Sequence, residues 1–266
     1  MLSIFQALIL GFVQGLTEFL PISSSGHLVL LQRLFKIQEA SLAFDVIVHF
    51  GTLIAVIIFF WSDLIAIVKK PFDKLSVLLV VGTIPTALIG LAFGNFFEQV
   101  FHTGQSLGIE FFITGVTLWL AESLRSGSKV LKETSVFDAA FIGTMQGVAI
   151  LPAISRSGLT IAGALFRGLD RKFAARFSFL LSIPAILGAT VLEGKDLFTA
   201  GLTGNALWPL LVGAFAAALA GYVAIKFMLK ILEKGTLKIF SYYVFLLGAL
   251  VLVDQLFFNL FFPPLF

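Results

Sequence analysis

The stretch PISSSGH, residues 21–27, interrupts an apolar segment with three hydroxyls, a glycine and a histidine. The stretch PAISRSG, residues 152–158, interrupts a second apolar segment in a similar way. Irregular polar backbone occurs at membrane depth only where it is buried in protein or lines a wet cavity. We therefore interpret residues 1–35 and 136–168 as two re-entrant hairpins, each a short helix, a polar turn and a second short helix.

The composition of the chain is typical of a membrane protein. Of its 266 residues, 59% are hydrophobic and 12% are charged, and the mean hydropathy is +1.04. Soluble domains carry roughly 25% charged residues. This chain has too few charges to cover a soluble surface of its length, and its apolar runs are long and continuous, which favours membrane-spanning helices.

Composition also excludes some functions. The chain has no cysteine, so it has neither a thiolate nucleophile nor a cysteine-based metal site. Its net charge of +3 comes from basic residues dispersed between apolar runs, so we expect no nucleic-acid partner. No Lys or Arg precedes Arg33, so we expect no cleavable signal peptide.

Six further stretches are long enough, or nearly so, to cross a bilayer core of about 30 Å as helices. They cover residues 41–61, 75–94, 106–122, 173–192, 206–226 and 239–262. Together with the two hairpins they predict an all-α, polytopic membrane protein. We expect residues 1–266 to form one integral membrane domain with six full transmembrane helices.

Basic residues predict the orientation, because Lys and Arg concentrate in cytoplasmic loops. When the six spans alternate, 14 of the 18 basic residues fall on one side. These 14 lie in segments 62–74, 123–135, 167–176 and 226–238. We expect that side to be cytoplasmic, so that the second hairpin enters from the cytoplasm and the first from outside.

The two hairpins align with an offset of 132 residues, almost half of the chain. The identical pairs are Gly11/Gly143, Gln14/Gln146, Gly15/Gly147, Ile22/Ile154, Ser23/Ser155, Ser25/Ser157 and Gly26/Gly158. Each half, about 1–132 and 133–266, then holds one hairpin and three spans. Because three is odd, the second half is inverted relative to the first. Such an inverted-topology repeat should bring the two polar turns into one cavity.

Arg156 is the sharpest candidate for a functional residue. Its guanidinium offers a planar fork for phosphate oxygens, and the hydroxyls beside it would complete an anion cradle. A helix that begins near Gly158 would add its N-terminus to this site. The alternative is a structural ion pair between Arg156 and Glu18 that holds the hairpins together.

Glu18 and Gln14 lie four residues apart and therefore on one helical face. A carboxylate and an amide oxygen suit a divalent cation such as Mg²⁺ or Ca²⁺. The alternative for Glu18 is a buried carboxylate hydrogen-bonded to the turn. His27 lies within reach of Ser23, Ser24 and Ser25, which suits nucleophilic or general-base chemistry, although it could also only cap its own helix.

The remaining ionisable residues of the apolar segments have simpler interpretations. Asp45 and His49 are spaced as an i, i+4 pair on the first span, and we expect them to support the site or to satisfy each other. Glu110, Glu122 and Asp254 lie at or near span ends. We expect these three side chains to reach the membrane interface.

Two segments resemble the signatures of a known family. They are Gln14-Gly-Leu-Thr-Glu18-Phe-Leu-Pro21-Ile-Ser-Ser-Ser-Gly-His27 and Pro152-Ala-Ile-Ser155-Arg156-Ser157-Gly-Leu-Thr160. Both are similar to segments of the bacterial undecaprenyl-diphosphate phosphatases, and the likeness extends over essentially the whole chain. Ala153 stands where that family usually has Gly, and its methyl group could restrict the loop without changing the chemistry.

The resemblance implies hydrolysis of undecaprenyl diphosphate to the monophosphate, which recycles the lipid carrier for wall polymers, and a link to bacitracin resistance. It implies a multi-pass protein of the bacterial inner membrane, with a site open to the periplasmic or external side and stimulation by a divalent cation. We expect a polyprenyl diphosphate and membrane lipids as partners, and the chain could also form a homodimer.

The resemblance also implies roles for individual residues. Catalysis would fall to Glu18, Ser24, His27 and Arg156, substrate binding to Ser23, Ser25, Ser155, Ser157 and Thr160, and cation binding to Gln14 and Glu18. The attacking group would be Ser24, assisted by His27 or Glu18, or else a water molecule.

The sequence also suggests three rival interpretations. An inverted repeat with charges at the midplane also suits a polyprenyl-phosphate transporter or flippase that does not hydrolyse its substrate. Type-2 phosphatidic acid phosphatases place a nucleophilic His shortly after Ser-Arg, and residues 155–175 contain no His, which excludes them. A purely structural scaffold would leave Arg156 and Glu18 buried without a purpose.

Overall fold

The computed structural model describes residues 2–35, 37, 42–124, 127–200 and 204–265. These residues form helices and connecting turns with no β-strand among them, which confirms the all-α prediction. The helices are α1 Ile4–Phe19, α2 Ser24–Leu34, α3 Leu42–Phe59, α4 Trp61–Lys69, α5 Lys74–Thr103, α6 Leu107–Ser123, α7 Val136–Val148, α8 Arg156–Phe166, α9 Arg171–Ala200, α10 Gly204–Lys234 and α11 Lys238–Val253. A π-helical turn, Asp254–Phe258, follows α11.

Several of these helices are long and apolar enough to cross a membrane. Four of them qualify singly: Lys74–Phe101, Arg171–Leu192, Leu207–Lys234 and Lys238–Phe258. A fifth candidate is the pair Ala43–Phe59 and Trp61–Lys69, which is bent by 75°. Helix α6 has 17 residues and is not among these candidates. The structure therefore supports a multi-pass membrane protein with four or five of the six predicted spans.

The predicted sidedness of the charges corresponds to two ends of the molecule. Contacts between the basic segments place them at one end: Asp63 with Arg176, Glu122 with Arg171 at 3.1 Å, Lys172 with Glu233 at 2.7 Å, and Lys129 N with Gly168 O at 3.0 Å. At the opposite end, the Arg33 guanidinium donates to the carbonyl oxygens of Thr103 and Phe261. We call these the basic end and the opposite end.

The helices recur at the offset found in the sequence. Helix α2 begins and ends 132 residues before α8, and both hairpins begin with a capping box, at Ser3 and at Ser135. The packing partners recur as well, since α1 packs on α10 while α7 packs on α5, and α6 packs on α11. The inverted placement of the two halves in a bilayer stays a prediction.

Glycines make the two equivalent helix contacts close. A Cβ atom on Gly11 would lie 2.2 Å from the carbonyl oxygen of Gly213, and one on Gly143 would lie 1.9 Å from that of Gly82. The predicted Gly11/Gly143 pair thus marks the same backbone approach in each half. These contacts fix the first helix of each hairpin against a long helix of the other half.

Candidate active site

The two polar turns interlock at the junction of the hairpins. The hydroxyls of Ser23, at 2.8 Å, and Ser25 donate to the carbonyl oxygen of Pro152. Reciprocally, the hydroxyl of Ser157 donates to the carbonyl oxygen of Leu20 at 2.9 Å. Ser25 and Ser157 are equivalent at the offset of 132, and so are Leu20 and Pro152. The prediction that the turns meet is confirmed, and they meet symmetrically.

Hydroxyls in and near the turns also cap helices or contact neighbouring groups. Ser23 and Ser155 are the N-caps of α2 and α8, and their Oγ atoms accept from the N–H groups three residues on, at 3.2 and 3.1 Å. Thr160 Oγ1 lies 2.8 Å from the carbonyl oxygen of Arg156 and 2.6 Å from Ser178 Oγ. These predicted substrate-binding residues brace the turns here, and their role in binding substrate stays a prediction.

Glu18 and Arg156 form the centre of the site. Arg156 Nη2 lies 2.5 Å from Glu18 Oε1, so the predicted ion pair between the hairpins is present. The other carboxylate oxygen, Oε2, accepts from Ser24 Oγ at 2.5 Å and from Gln14 Nε2 at 2.9 Å. Glu18 is only 7% exposed and the Arg156 side chain 14%. Four of the predicted residues are therefore in direct contact.

Two polar atoms at this centre are left without a hydrogen-bond partner among the described residues. They are Arg156 Nη1, a donor, and Gln14 Oε1, an acceptor, and both are buried. Buried polar atoms are almost always paired, so each such atom calls for an explanation. A donor on a guanidinium suits an oxyanion, and an acceptor beside a carboxylate suits a cation or a water molecule.

His49, which we expected only to support the site or to pair with Asp45, lies next to Glu18. Its Nε2 atom is 3.8 Å from Glu18 Oε2, while its Nδ1 atom is 2.7 Å from the carbonyl oxygen of Asp45. The side chain is 31% exposed, more than that of Glu18 or Arg156. The i, i+4 spacing with Asp45 suggested the local contact, but only the packing of α3 near α1 brings His49 to Glu18.

The ring nitrogens of His27 contact the Ser23 carbonyl and the Tyr243 hydroxyl. Its Nδ1 atom lies 2.6 Å from the carbonyl oxygen of Ser23, and its Nε2 atom lies 2.8 Å from the Tyr243 hydroxyl. Its ring also lies edge-on to that of Phe111. Both ring nitrogens are therefore engaged by groups other than Ser24. Nothing in the local sequence marks Tyr243, which is the offset equivalent of Phe111, as a partner of His27.

Helix α6 supports the second turn through two side chains. Glu110 is 3% exposed, and its Oε2 atom accepts from the N–H of Ala153 at 2.7 Å. One turn further along, Thr114 Oγ1 accepts from the N–H of Ser155 at 3.1 Å. This support of the turn could not be predicted from the sequence, because the contacts join residues about 40 positions apart and no local pattern signals them.

The three acidic side chains that we expected at the membrane interface all have partners within the protein, and their position relative to the interface stays a prediction. Glu110 is buried at the turn, and Glu122 accepts from Arg171 and from the N–H of Leu237. Asp254 is buried as well and accepts from three successive N–H groups, at residues 260–262. Each carboxylate accepts hydrogen bonds from protein groups, whereas a carboxylate at an isolated helix end would accept them from water.

Fold and site together define a class of protein: a multi-pass helical membrane protein in which two polar turns meet around a buried carboxylate and guanidinium. Comparison with known protein families narrows this class. Residues 7–250 match the family model described as Bacitracin resistance protein BacA, and the chain belongs to this family. The resemblance seen in the sequence is thereby confirmed.

Individual relatives are similar over almost their full length. The chain is 61% identical over 253 residues to the undecaprenyl-diphosphatase of Carboxydothermus hydrogenoformans, a match that covers 94% of this chain and 97% of the relative. It is 49% identical over 250 residues to undecaprenyl-diphosphatase 4 of Bacillus cereus, with 94% and 96% covered. It is 46% identical over 254 residues to the undecaprenyl-diphosphatase of Halothermothrix orenii, with 95% and 98% covered.

Proposed function

We propose that this chain hydrolyses undecaprenyl diphosphate to undecaprenyl phosphate and inorganic phosphate, which returns the lipid carrier to cell-wall synthesis. The names of the relatives support this activity. The observation that carries it is Arg156, whose guanidinium is buried between two turns with one donor unpaired among the described residues. A diphosphate oxygen is a suitable partner for that donor.

The geometry supports a role for each central residue. Helices α2 and α8 both begin at the site, and helix N-termini favour bound anions. Arg156 would hold the diphosphate and stabilise the negative charge on the phosphoryl oxygens in the transition state. Ser24 Oγ already donates to Glu18 Oε2, so the carboxylate is placed to take the hydroxyl proton as Ser24 attacks.

In the first step, Ser24 Oγ forms a bond to the distal phosphorus and the bridging P–O bond breaks. Undecaprenyl phosphate leaves, and the proton from Ser24 passes through Glu18 to the released phosphate or to solvent. In the second step, water gives a proton to Glu18 and attacks the phosphorus of phosphoserine. The P–Oγ bond breaks, Ser24 Oγ takes the proton from Glu18, and inorganic phosphate leaves. In the alternative that the sequence left open, water attacks the diphosphate directly.

A divalent cation, Mg²⁺ or Ca²⁺, fits this site in one respect. The described residues contain no cluster of three or more His, Cys, Asp and Glu. However, the amide oxygen of Gln14 lacks a hydrogen-bond partner while its amide nitrogen donates to Glu18, and oxygen ligands suit these ions. Gln14 and Glu18 would hold the cation together with substrate oxygens. When bound, it would offset the charge of the diphosphate.

We also propose a location for the site. The first hairpin is predicted to enter the bacterial inner membrane from outside, so the site would open to the periplasmic or external side. The prenyl tail would lie between helices, and surrounding lipids would be the other partners. A homodimer would be compatible with this arrangement.

Phosphate release tests the proposal. Purified protein in detergent should release phosphate from undecaprenyl diphosphate when Mg²⁺ or Ca²⁺ is present and lose this activity in EDTA. Activity that persists in EDTA would contradict the cation but not the hydrolysis. Absence of phosphate release with every divalent cation tried, while liposomes show movement of the lipid between leaflets, would favour transport over hydrolysis.

A further inference from the structure

The backbone is strained at one residue of the first turn. Ser23 has φ 67° and ψ 105°, and together with Asn259 it is one of the two non-glycine residues with positive φ in the described part of the chain. A side chain with a Cβ atom rarely adopts this conformation. The offset equivalent, Ser155, is relaxed, with φ −72° and ψ 115°. The two turns are thus alike in sequence and contacts but differ in strain.

The strained residue directly precedes the candidate nucleophile. Ser24 is the first residue of α2, and its Oγ atom lies 2.5 Å from Glu18 Oε2. The backbone torsions of Ser23 decide in which direction α2 starts and therefore where this hydroxyl points. Strain held at such a position indicates that the surrounding structure enforces it.

His27 holds the strained residue by its carbonyl group. A carbonyl oxygen only accepts hydrogen bonds, so the proton in the 2.6 Å contact with Ser23 O is on His27 Nδ1. In the neutral ring, Nε2 then carries a lone pair and accepts from the Tyr243 hydroxyl, 2.8 Å away. The two rings also stack, with centroids 5.6 Å apart and planes that differ by 13°. The Ser23 carbonyl thereby fixes the tautomer of His27, and the contact with Tyr243 holds the orientation of its ring.

Comparison of the two halves supports this interpretation. At the offset of 132, the equivalent of His27 is Leu159 and the equivalent of Tyr243 is Phe111. The half with the relaxed Ser155 therefore has two apolar residues where the half with the strained Ser23 has a hydrogen-bonded pair. We call His27 and Tyr243, linked to each other and to the Ser23 carbonyl, the clasp; it is present only in the half whose turn is strained.

We propose that Tyr243 is a positioning residue, which acts through His27 to hold Ser23 in its strained conformation so that Ser24 faces Glu18. The chain of contacts runs from α11 to His27, to the carbonyl of Ser23 and to the start of α2. His27 serves in it as a hydrogen-bond link rather than as the proton acceptor of Ser24. This inference rests on the hydrolysis proposed above.

The first test is Tyr243→Phe in the full-length protein, which keeps the ring and removes the hydroxyl. We expect kcat for phosphate release to fall about tenfold or more, because misplacement of a reacting group is costly. KM should change little, since Arg156 still binds the diphosphate. The matched control is Tyr242→Phe, a neighbouring tyrosine that is 56% exposed and packs edge-on against Trp119. Its kcat should remain that of the unmodified protein.

The second test separates positioning from acid–base chemistry by rescue. Glycine adopts positive φ without strain, so Ser23→Gly removes the need for the clasp. Whatever its own activity, the Ser23→Gly protein should lose less than about twofold in kcat on addition of Tyr243→Phe. An equal loss in both backgrounds would overturn the proposal, and so would a Tyr243→Phe protein with normal kcat.

A measurement independent of activity covers the case in which a variant is unstable. In ¹⁵N NMR of the histidine side chains, His27 should be protonated at Nδ1, and its Nε2 resonance should shift in Tyr243→Phe. An unchanged resonance would overturn the clasp. If instead the unmodified protein releases no phosphate, the proposed hydrolysis fails, whereas the NMR result still reports on the clasp.

Discussion

Arg156 and Glu18 depend on each other because both are removed from water. A buried ion pair contributes little net stability, but removal of one partner leaves the other charge buried without compensation. Loss of either partner would therefore weaken the contact between the two hairpins. In the function proposed above, the donor Arg156 Nη1, unpaired among the described residues, is the group that binds the diphosphate.

Arg156→Ala is expected to reduce phosphate release by about 10²-fold or more, since it removes the group that stabilises charge at phosphorus. It should also destabilise the protein by about 3 kcal/mol, because Glu18 loses its partner. The double variant Glu18→Gln/Arg156→Ala tests the second effect, because it leaves no unpaired charge and should regain thermal stability in detergent. Near-normal phosphate release by Arg156→Ala alone would remove the phosphate-binding role from Arg156.

Ser24→Ala decides which group attacks. With substrate labelled on the distal phosphate, the unmodified protein should form a trappable phosphoenzyme, and Ser24→Ala should form none and lose about 10²-fold in turnover or more. Ser123→Ala is a suitable control, because the Ser123 hydroxyl donates to the carbonyl of Trp119 within α6 and not to a residue of the site. Substantial turnover in Ser24→Ala would mean that water attacks the diphosphate directly.

At the scale of the helices, close backbone contact explains why particular glycines recur in both halves. Gly143 on α7 packs against the backbone of Gly82 on α5, and Thr86 donates to the carbonyl of Gly143 at 2.9 Å. A methyl group here cannot be absorbed by a flexible side chain, since the nearest atoms belong to backbone. The two helices would have to separate.

Gly143→Ala is therefore expected to destabilise the protein by about 2 kcal/mol or more, although alanine favours a helix over glycine. Gly188→Ala on α9 provides the control, because a Cβ there meets no atom within 4 Å among the described residues. It should be neutral or stabilising by up to about 1 kcal/mol. Thermal unfolding of both variants in detergent measures the difference, and equal midpoints would contradict the close approach.

At the basic end, Asp138 links the two helices of the second hairpin, because it lies in the first turn of α7 and pairs with Arg167 at the end of α8. Its carboxylate accepts from Arg167 Nε at 2.6 Å and from the N–H of Ser135 at 2.9 Å. Burial alone would raise the pKa of Asp138, but the hydrogen bonds from Ser135 and Arg167, with the charge of Lys129, lower it from 3.8 to about 2. The folded state thus favours the ionised form.

A lowered pKa in the folded state contributes stability above the unfolded pKa, and this contribution is lost as the pH falls through the folded value. Thermal unfolding should therefore show a loss of stability between pH 3.8 and about 2 that Asp138→Asn lacks. Asp73→Asn, which changes an exposed aspartate ahead of α5, should keep the profile of the unmodified protein. Identical profiles for Asp138→Asn and the unmodified protein would contradict this role of Asp138.

The hairpins were predictable from the sequence, but the bracing of their turns was not. Pro21 and Pro152, followed by small polar residues, signal a break in two apolar segments, and the helices do end there. The acceptors for the turn N–H groups come from Glu110 and Thr114, on a helix whose apolar pattern does not mark them. Tyr243 was missed for the same reason, since its partner lies 216 positions away.

For the whole molecule, the repeat supplies a symmetric frame with asymmetric chemistry. At the offset of 132, Glu18 corresponds to Ile150, and Ser24 corresponds to Arg156. One half therefore contributes the carboxylate and the hydroxyl, and the other contributes the guanidinium. The alignment predicted that the turns meet. Which side chains touch across the junction follows only from the packed structure, because the offset pairs related residues rather than contacting ones.

The placement of the two ends across the membrane is the last prediction, and the absence of cysteine makes it easy to test. Gln105→Cys lies at the opposite end, and Lys132→Cys lies at the basic end; both positions are exposed. Because basic segments stay in the cytoplasm, a membrane-impermeant maleimide should label Gln105→Cys in intact cells, after permeabilisation of any outer membrane, and label Lys132→Cys only after lysis. Both variants should retain phosphate release, which shows that they are correctly inserted. Labelling of Lys132→Cys from outside, with Gln105→Cys protected, would reverse the orientation and place the entrance of the first hairpin on the cytoplasmic side.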